Sequence, residues 1–473
     1  MKKIILLVIT AVLAAFVVSC DRSSLSGNSN GSRPGSSSSP DSGSPDSGSP
    51  LPEVIRTPPV DKRGVSYSFE QENTPEEDMA LLAPAVKWFY NWYIIPKPDV
   101  EQAAKKHEVA FYPMVWNSWN FEGHLSEYLV NNPDCEYILG YNEPNLTDQA
   151  NMTPAKAALT WPTLVRVAKK YGLKIVSPAM NFGTLRNYWV PWVWLNEFFG
   201  IDYVNDDGVE IKNRGYNGVS LDDIDAIAIH CYMSHAGAIK WFIGMFKSYN
   251  KPIWMTEFCS WEGTNSLEWQ MEVMSESVIY MELDPAVEKY AWFIPKSSEL
   301  ETALPMNKLL TRTNPPQLTP LGYVYVNMGT CDKNVWVPAG QRIEAKDFAD
   351  CNLSEWINVE GWPSYDNGGS VHFRPKTDID GVLDTYDFTS QKWLEYQIDA
   401  PETKTYTLTL RSIAPEATTI EIYVDGEASG NISLQQSGAW TTSAVTFQME
   451  AGHRKLRLKA VRGNCALNWL KVE

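Results

Sequence analysis

The sequence has a marked shortage of positive charge. Its 40 lysines and arginines are outnumbered by 57 aspartates and glutamates, so the 473-residue chain carries a net charge of -17 at pH 7. Phosphate-bearing partners bind to basic surfaces, which makes nucleic acid and anionic lipid unsuitable ligands for this chain. A neutral polysaccharide meets no such electrostatic objection.

Long apolar runs are missing after the first 20 residues, and no cysteine spacing is typical of a zinc site. We therefore expect no membrane-spanning helix beyond the N-terminus and no metal centre. Once Cys20 is set aside, the other cysteines are compatible with disulfides in an exported protein, and their pairing stays open.

The first 20 residues have the pattern of a lipoprotein signal peptide. Lys2 and Lys3 precede an apolar run from Ile4 to Val18, and "VVSC" ends the segment. This order predicts export. The final residues resemble a bacterial lipobox, which implies lipid attachment at Cys20 and a location on a bacterial membrane, in the cell envelope or at the surface. A plain signal peptide with a chance cysteine is the alternative.

Residues 21–60 are predicted to be a disordered tether. Positions 21 to 50 alone contain 13 Ser, 5 Gly and 4 Pro, and "SGSPDSGSP" repeats on itself. Such a composition buries too little apolar surface to offset the entropy lost on ordering.

Strand-like and helix-like segments alternate between residues 61 and 335. Eight short apolar runs, among them "EYILGYNE", "IDAIAIHCY" and "PIWMTEF", are each followed by a helix-like segment. This count predicts an α/β fold, the (β/α)8 TIM barrel. A doubly wound open sheet is the alternative, which the count of eight disfavours.

The pattern changes at about Arg342. Segments such as "TYTLTLRSIA" and "HRKLRLKAV" alternate apolar and polar residues, with turn residues every 8 to 12 positions. Residues 342–473 are therefore predicted to form an all-β antiparallel sandwich, jelly-roll-like in type.

Two glutamates end strand-like runs of the predicted barrel. Glu143 follows "YILGY" and precedes Pro144, and Glu257 ends "PIWMTE". Side chains at the carboxyl ends of barrel strands face the active site. A pair of carboxylates there is the arrangement that cleaves glycosidic bonds, one as acid/base and one as nucleophile, without a cofactor.

The same residues resemble those of clan A glycoside hydrolases. The resemblance implies that Glu143 is the acid/base and Glu257 the nucleophile, while Asn142 contacts the sugar 2-hydroxyl. The strings "GYNEPN", "SPAM", "AIHCY" and "WMTEF" are most similar to family 128, whose members hydrolyse β-1,3-glucans.

Further contacts follow from this resemblance. His230 and Tyr232 match a His-x-Tyr pattern, which implies that the histidine contacts sugar and the tyrosine orients the nucleophile. Trp292 matches a tryptophan that forms the floor of the cleaved-sugar subsite. Other tryptophans lie at or past strand ends, and about half of them are expected to contact sugar while the rest pack internally. These are Trp88, Trp92, Trp116 and Trp261.

The C-terminal part resembles family 6 carbohydrate-binding modules. This implies sugar contacts at Trp440, with Trp362 and Tyr365 in a neighbouring loop-like stretch. The family also holds a structural calcium, but Lys346 and Asn468 stand where acids are usual, and a lysine is unfavourable in an oxygen-ligand site. The alternative is a sandwich that only packs on the barrel.

The expected function is that of a monomeric, retaining, endo-acting β-1,3-glucanase that binds a polysaccharide substrate. One alternative is a non-catalytic surface glycan-binding lipoprotein, which would have no reason to keep both glutamates. The other is a transglycosylase that uses the same two residues.

Overall fold

The computed structural model describes residues 54–55, 61–205, 207–261, 266–298, 300, 304–353 and 369–473. The predicted signal peptide, Cys20, most of the tether, Trp362 and Tyr365 lie outside the described residues. None of the helices in the described part of the chain is both long and apolar enough to cross a membrane.

Short strands alternate with helices over the first two thirds of the chain. In order, the strands are β1 (Val54–Ile55), β2 (Arg63–Ser66), β3 (Trp88–Tyr90), β4 (Ala110–Phe111), β5 (Tyr137–Leu139), β6 (Lys174–Val176), β7 (Tyr203–Val204), β8 (Glu210–Ile211), β9 (Ile227–Cys231), β10 (Ile253–Phe258) and β11 (Val287–Trp292). The helices are α1 (Pro75–Leu82), α2 (Pro98–Lys106), α3 (Glu122–Asn131), α4 (Pro154–Ala157), α5 (Trp161–Tyr171), α6 (Pro191–Phe199), α7 (Ala236–Phe246), α8 (Leu267–Leu283) and α9 (Pro320–Asn327).

Local sequence sets where several of these helices begin and end. Helices α1, α2, α5, α6 and α9 have proline in the first turn, where its missing N–H costs nothing. Ser266 and Thr319 accept hydrogen bonds from the first turns of α8 and α9. Gly172 ends α5 in a left-handed conformation, with φ of 72°.

Six of the strands form one parallel sheet in the order β4-β3-β2-β11-β10-β9, and β5 and β6 form a second parallel pair. Isolated parallel bridges join these two sheets. Met114, just past β4, bridges to Leu139 of β5, and Val176 of β6 bridges to Ala226 next to β9. The pair β5-β6 is therefore connected to both edge strands of the larger sheet.

Alternate residues of these strands form one group of buried side chains, here called the inner cluster. It contains Trp88, Tyr90, Tyr112, Met114, Tyr137, Leu139, Val176, Ala179, Ala226, Ala228, Trp254 and Ala291. Gly64 of β2 gives the cluster room, because a Cβ atom there would lie 2.4 Å from the Trp88 ring. The other side of each strand contributes to a larger buried cluster beneath the helices.

The C-terminal domain is all β, as predicted. Its strands are β12 (Val337–Pro338), β13 (Arg342–Glu344), β14 (Asp350–Cys351), β15 (His372–Pro375), β16 (Leu383–Thr389), β17 (Trp393–Ala400), β18 (Lys404–Ile413), β19 (Thr418–Val424), β20 (Glu427–Leu434), β21 (Thr441–Met449), β22 (Gly452–Arg462) and β23 (Asn464–Val472). They form two sheets of six strands each, in which antiparallel pairs predominate, and β1 adds a seventh strand to one of them.

The two domains pack directly on each other. Strand β15 contacts α8 and α9, and the N–H of Phe373 donates to Ser275 Oγ at 2.9 Å. Strand β1 lies within the predicted tether, yet it pairs in parallel with β13 of the C-terminal domain. The prediction of disorder is wrong at Val54–Ile55, because the backbone there pairs with β13 at the edge of the sheet.

Candidate active site

Glu143 lies four residues past the end of β5 in a strained backbone conformation. Its φ is +42°, in the left-handed region that non-glycine residues rarely adopt. The conformation is held from both sides, because its N–H donates to Ala179 O at 3.0 Å and its carbonyl accepts from Leu146 N at 3.0 Å. The turn at Glu143 and Pro144 therefore fixes the direction in which the Glu143 side chain points.

Glu257 reaches the same region through a β-bulge in β10. The register to β9 pairs Met255 with Ile229 and then Glu257 with His230, so Thr256 is an extra residue. Strict alternation from Trp254, a member of the inner cluster, would turn Glu257 away from that cluster. The bulge shifts the alternation of side chains by one residue, so the Glu257 side chain points to the same side of the sheet as that of Trp254.

The two glutamates and His230 come together. Each offers an atom that lies within 4.8 Å of the corresponding atoms of the other two. Glu143 and Glu257 are 5% and 4% exposed, and His230 is fully buried. Their separation predicts that one glutamate can protonate a glycosidic oxygen while the other attacks the adjacent carbon.

Hydrogen-bond donors surround the Glu257 carboxylate. Oε1 accepts from the Tyr90 hydroxyl at 2.5 Å and from Trp92 Nε1 at 2.7 Å. Oε2 accepts from the Tyr232 hydroxyl and lies 3.4 Å from His230 Nδ1. Donors on both oxygens favour the ionised form of a carboxylate and hold its plane in one orientation.

Two polar side chains in the described part of the chain contact Glu143, and both reach the same oxygen. His230 Nδ1 lies 3.0 Å from Oε1, and Asn181 Nδ2 donates to Oε1 at 3.1 Å. His230 thus stands between the two carboxylates. Burial alone would lower the pKa of His230, but the charges of Glu257 and Glu143 and the hydrogen bond to Glu143 raise it on balance above its ordinary value.

Burial raises the pKa of Glu257, and the charge of Glu143 acts in the same direction. The charge of His230 and the hydrogen bonds from Tyr232 and Tyr90 oppose this rise. Burial beside Glu257 also raises the pKa of Tyr90 and of Tyr232 well above that of free tyrosine, so both phenols remain neutral donors.

Asn142 is buried next to Glu143. Its Nδ2 donates to Gln149 Oε1 at 3.1 Å, and its Oδ1 has no hydrogen-bond partner within the described ranges. A buried amide oxygen without a partner is costly. The predicted contact of Asn142 with a sugar hydroxyl would satisfy this atom, and it stays a prediction.

Aromatic rings surround the nucleophile candidate. Phe293 is half-buried, and its ring contacts Trp92, Tyr232 and Trp261 with centroid distances of 6.0, 5.4 and 6.2 Å. Trp116 is also half-buried, and its carbonyl accepts from Asn142 N at 2.9 Å. Of the predicted tryptophans, Trp92, Trp116 and Trp261 therefore lie next to residues of the site.

Two predicted sugar contacts have other surroundings. Trp88 is fully buried in the inner cluster, where its Nε1 donates to Lys62 O at 3.0 Å. Trp292 is fully buried against Phe258 and Tyr325, with Nε1 donating to Asn307 O at 2.7 Å. A fully buried ring offers no face to a sugar, so the predictions for Trp88 and Trp292 are wrong.

The alternation of side chains along β11 explains why the prediction for Trp292 is wrong. Ala291 belongs to the inner cluster, so Trp292 faces the opposite side of β11 and Phe293 returns to the site. Tyr90 and Asn181 were missed as well. Tyr90 lies two residues from Trp92, and Asn181 directly follows "SPAM"; their nearness to strand ends was the available signal.

Trp440 in the C-terminal domain is half-buried, and its Nε1 donates to Thr377 Oγ1 at 3.0 Å. The positions that the family 6 resemblance implies for calcium are those of Lys346 and Asn468, and Glu344 lies beside them; among the described residues they form no oxygen cage. Glu344 accepts from Arg342 Nη2 at 3.0 Å and from Val382 N at 2.9 Å, and Lys346 pairs with Asp347 at 2.6 Å. Protein cations thus stand where the metal's charge would be, so these residues do not fit calcium.

A family model described as the glycosyl hydrolase catalytic core matches residues 64–325. The chain belongs to this family. The match includes both glutamates, and a second model, described as carbohydrate binding module (family 6), matches residues 363–473. These matches confirm the predicted family resemblance of both domains.

Solved structures of catalytic cores are similar to this one. An endo-β-1,3-glucanase of glycoside hydrolase family 128, subgroup II, from Pseudomonas viridiflava is 34% identical, and the match covers 56% of this chain and 96% of that chain with a TM-score of 0.47. A second enzyme of the same subgroup, from Sorangium cellulosum, is 30% identical, and the match covers 56% and 97% with a TM-score of 0.45.

Alkali-sensitive linkage protein 1 of Schizosaccharomyces pombe is a curated relative. It is 23% identical over 258 residues, which is 51% of this chain. The chain spans only 40% of that relative's length.

Proposed function

We propose that this protein is a retaining glycoside hydrolase that cleaves β-1,3-glucan within the chain. One observation carries the mechanism: oxygen atoms of Glu143 and Glu257 lie within 4.8 Å of each other. In retaining enzymes the two carboxyl groups are about 5–5.5 Å apart, whereas inverting enzymes need about 6.5–9.5 Å to admit a water molecule.

The reaction follows from the surroundings of each carboxylate. Glu257, ionised and oriented by Tyr90, Trp92 and Tyr232, attacks the anomeric carbon as the bond to the leaving oxygen breaks. Glu143 gives its proton to that oxygen. It then removes a proton from water, which attacks the anomeric carbon and releases Glu257 as a carboxylate.

We also infer that the eight parallel strands close into a barrel. Bridges between Met114 and Leu139 and between Val176 and Ala226 connect the β5-β6 pair to both edges of the larger sheet. The single inner cluster, built from alternate residues of these strands, supports closure because an open sheet has no enclosed side. The two C-terminal sheets share a buried core in the manner of a sandwich.

The substrate class rests on sequence identity. The two relatives that are 34% and 30% identical over nearly their whole length are described as endo-β-1,3-glucanases. The half-buried aromatic rings of Trp92, Trp261 and Phe293 beside the glutamates offer flat apolar surface to an uncharged sugar.

The test is hydrolysis by a chain without residues 1–50, which keeps β1 paired with β13. It is incubated with β-1,3-, β-1,4- and mixed-linkage glucans, and new reducing ends, viscosity and the anomer first released are measured. We expect cleavage of the β-1,3-glucan with rapid loss of viscosity and the β anomer first. Hydrolysis by Glu257→Gln at the wild-type rate, or release of the α anomer, would contradict the mechanism.

The two alternatives give different outcomes in the same assay. A surface glycan-binding lipoprotein would bind the polymer and release no reducing ends. A transglycosylase would convert short oligosaccharides into longer ones, which mass spectrometry of the products detects.

The C-terminal domain is proposed to bind polysaccharide through Trp440 and to need no calcium. The half-buried indole, fixed by its bond to Thr377, keeps ring surface available for stacking. In a Glu257→Gln background, which prevents digestion, Trp440→Ala should lose retention on insoluble β-1,3-glucan. Equal retention by both proteins would favour a domain that only packs on the catalytic core.

We propose that the mature protein is a monomer anchored to a bacterial membrane by lipid on Cys20. The charged start, apolar run and small residues before that cysteine support this location. Metabolic labelling with palmitate tests it, because label should enter the wild-type chain and should not enter Cys20→Ser.

A further inference from the structure

Asn181 contacts the candidate acid/base although no motif predicted it. It directly follows Met180, whose backbone bridges to Ile229 of β9, and its Nδ2 donates to Glu143 Oε1 at 3.1 Å. Glu143 therefore has a partner from the segment that follows β6, the strand paired with β5, in addition to His230.

The orientation of the Asn181 amide is fixed by its own backbone. Its Oδ1 accepts the N–H of Phe182 at 2.8 Å. An amide oxygen can accept that bond and an amide nitrogen cannot, so the NH2 group must face Glu143. The side chain is thus presented to Glu143 as a donor.

The main chain at Asn181 is held by a second asparagine. Asn145 is fully buried, and its Nδ2 donates to Asn181 O at 2.8 Å and to Tyr188 O at 3.2 Å. The Asn145 carbonyl accepts from Thr184 N at 3.0 Å and Leu185 N at 2.9 Å. The turn that carries Glu143 and the loop that carries Asn181 are therefore tied together.

Two nitrogen atoms lie within hydrogen-bond distance of one oxygen of Glu143. His230 Nδ1 and Asn181 Nδ2 both point at Oε1, at 3.0 and 3.1 Å. Because Asn181 Nδ2 can only donate, a proton on Oε1 would face its N–H group, whereas a proton on Oε2 leaves that hydrogen bond intact and also allows one from His230 when its Nδ1 carries a proton. The proton that is transferred in the reaction therefore belongs on Oε2.

We propose that Asn181 is a positioning residue that assigns the acid proton of Glu143 to Oε2, with Asn145 holding it in register. This inference rests on the proposed function. In the first step the Oε2–H bond breaks as the glycosidic oxygen gains the proton. The negative charge left on Glu143 strengthens the hydrogen bond from Asn181, which stabilises the product of proton transfer.

The experiment compares substrates that differ only in their need for an acid. Asn181→Asp keeps the size of the side chain and its bond to Phe182 N, but it replaces the donor to Glu143 with an acceptor. On β-1,3-glucan we expect kcat/KM to fall about 10- to 100-fold, the usual effect of losing a hydrogen bond to a charged group. An aryl β-glucoside oligomer with a dinitrophenyl leaving group needs no proton, so its kcat/KM should change little.

The pH profile gives a readout that a purely structural role would not move. Because a donor to Oε1 favours the ionised form, its loss should shift the basic limb of kcat/KM for the glucan to higher pH. Asn181→Ala removes the donor without adding charge and should shift the limb in the same direction. Asn181→Ala also provides the test if Asn181→Asp folds poorly.

Asn117→Asp is the matched control. Asn117 lies in the loop after β4, and its Oδ1 accepts from Trp119 N at 3.0 Å, as Asn181 accepts from Phe182 N. Asn117→Asp should leave the ratio of kcat/KM on β-1,3-glucan to kcat/KM on the dinitrophenyl glycoside unchanged. Equal losses on both substrates in Asn181→Asp, or an unmoved pH profile in both variants, would overturn the positioning role. Full activity of Glu143→Gln would instead overturn the proposed function.

Discussion

Trp92 Nε1 lies 2.7 Å from Oε1 of Glu257 and donates a hydrogen bond to it. Trp92 adopts a left-handed backbone conformation, with φ of +60°, two residues after the end of β3, whose last residue, Tyr90, donates to the same oxygen. Two consecutive inward-facing aromatic residues thus hold one oxygen of the proposed nucleophile. Their rings also pack edge to face, with centroids 5.5 Å apart.

Trp92→Phe should therefore impair the nucleophile while keeping an aromatic ring. Loss of the N–H donor raises the pKa of Glu257 further, so the acidic limb of the kcat/KM profile moves to higher pH. At the optimum we expect kcat to fall about 10- to 100-fold. Steady-state kinetics across pH measure both effects, with exposed Tyr93→Phe as control. An unmoved acidic limb would contradict the role of the indole N–H.

Glu143→Gln should lose activity in proportion to the need for an acid. Hydrolysis of β-1,3-glucan should fall about 10²–10⁴-fold, the usual contribution of general acid catalysis. Formation of the glycosyl-enzyme from a dinitrophenyl glycoside needs no acid, so a burst of dinitrophenol should persist, measured by stopped-flow absorbance. A variant that loses the burst as completely as it loses glucan hydrolysis would contradict the acid/base role.

His372 should make the protein sensitive to acid. Burial first, and then the charge of Lys392, lower the pKa of His372 to about 4, and Asp387 offsets this only in part because its Oδ2 pairs with Lys392 at 2.6 Å. In the unfolded chain the pKa is about 6.5. Between these values the unfolded state binds the proton and the folded state does not, so stability falls as pH falls.

At pH 5 this difference costs about 2 kcal/mol relative to pH 7. His372→Gln should therefore lose less unfolding free energy between pH 7 and pH 5 than the wild type, as measured by urea denaturation. His124→Gln is the control, because that side chain is exposed. The same pH dependence in His372→Gln and the wild type would refute the assignment.

Gly64→Ala should destabilise the fold. A Cβ at Gly64 would lie 2.4 Å from the Trp88 ring, which is fixed in the inner cluster. Overpacking of this kind costs about 1–3 kcal/mol. Gly123→Ala is the opposite control, because nothing lies within 4 Å of that Cβ and helix α3 gains from alanine. The free energy of unfolding, measured by urea denaturation, should be highest for Gly123→Ala, intermediate for the wild type and lowest for Gly64→Ala.

Calcium should leave the stability of the protein unchanged. Because Arg342 pairs with Glu344 at 3.0 Å, we propose that no calcium binds at this position, so a chelator should have no effect. Differential scanning calorimetry should give the same Tm in EDTA and in calcium chloride. The double variant Lys346→Glu with Asn468→Asp adds two carboxylates near Glu344 and should acquire a calcium-dependent rise in Tm. A wild-type Tm that falls in EDTA would contradict this prediction.

Much of the architecture was predictable because it depends on short stretches of the sequence. The runs "EYILGYNE" and "PIWMTEF" are short, apolar and bounded by turn residues, so strands at β5 and β10 follow from pattern alone. The C-terminal alternation in "TYTLTLRSIA" likewise corresponds to β18, whose residues alternate between buried and half-exposed. The order of the helices and strands along the chain can be predicted without knowing which strands pair with each other.

The direction of individual side chains was not predictable in the same way. Trp292 and Phe293 are neighbours, and only the pairing of β11 with β10 and β2 determines which of them faces the site. Asn181 acquires its contact with Glu143 through the bridge of Met180 to β9 and the buried amide of Asn145.

The sequence by itself determined that two acidic side chains end strands of an alternating fold, since period and turn residues act over a few positions. Tertiary structure decided that they meet. The extra residue Thr256 turns Glu257 inward, and such a bulge arises from the register between strands, which depends on hydrogen bonds to residues far away in the chain.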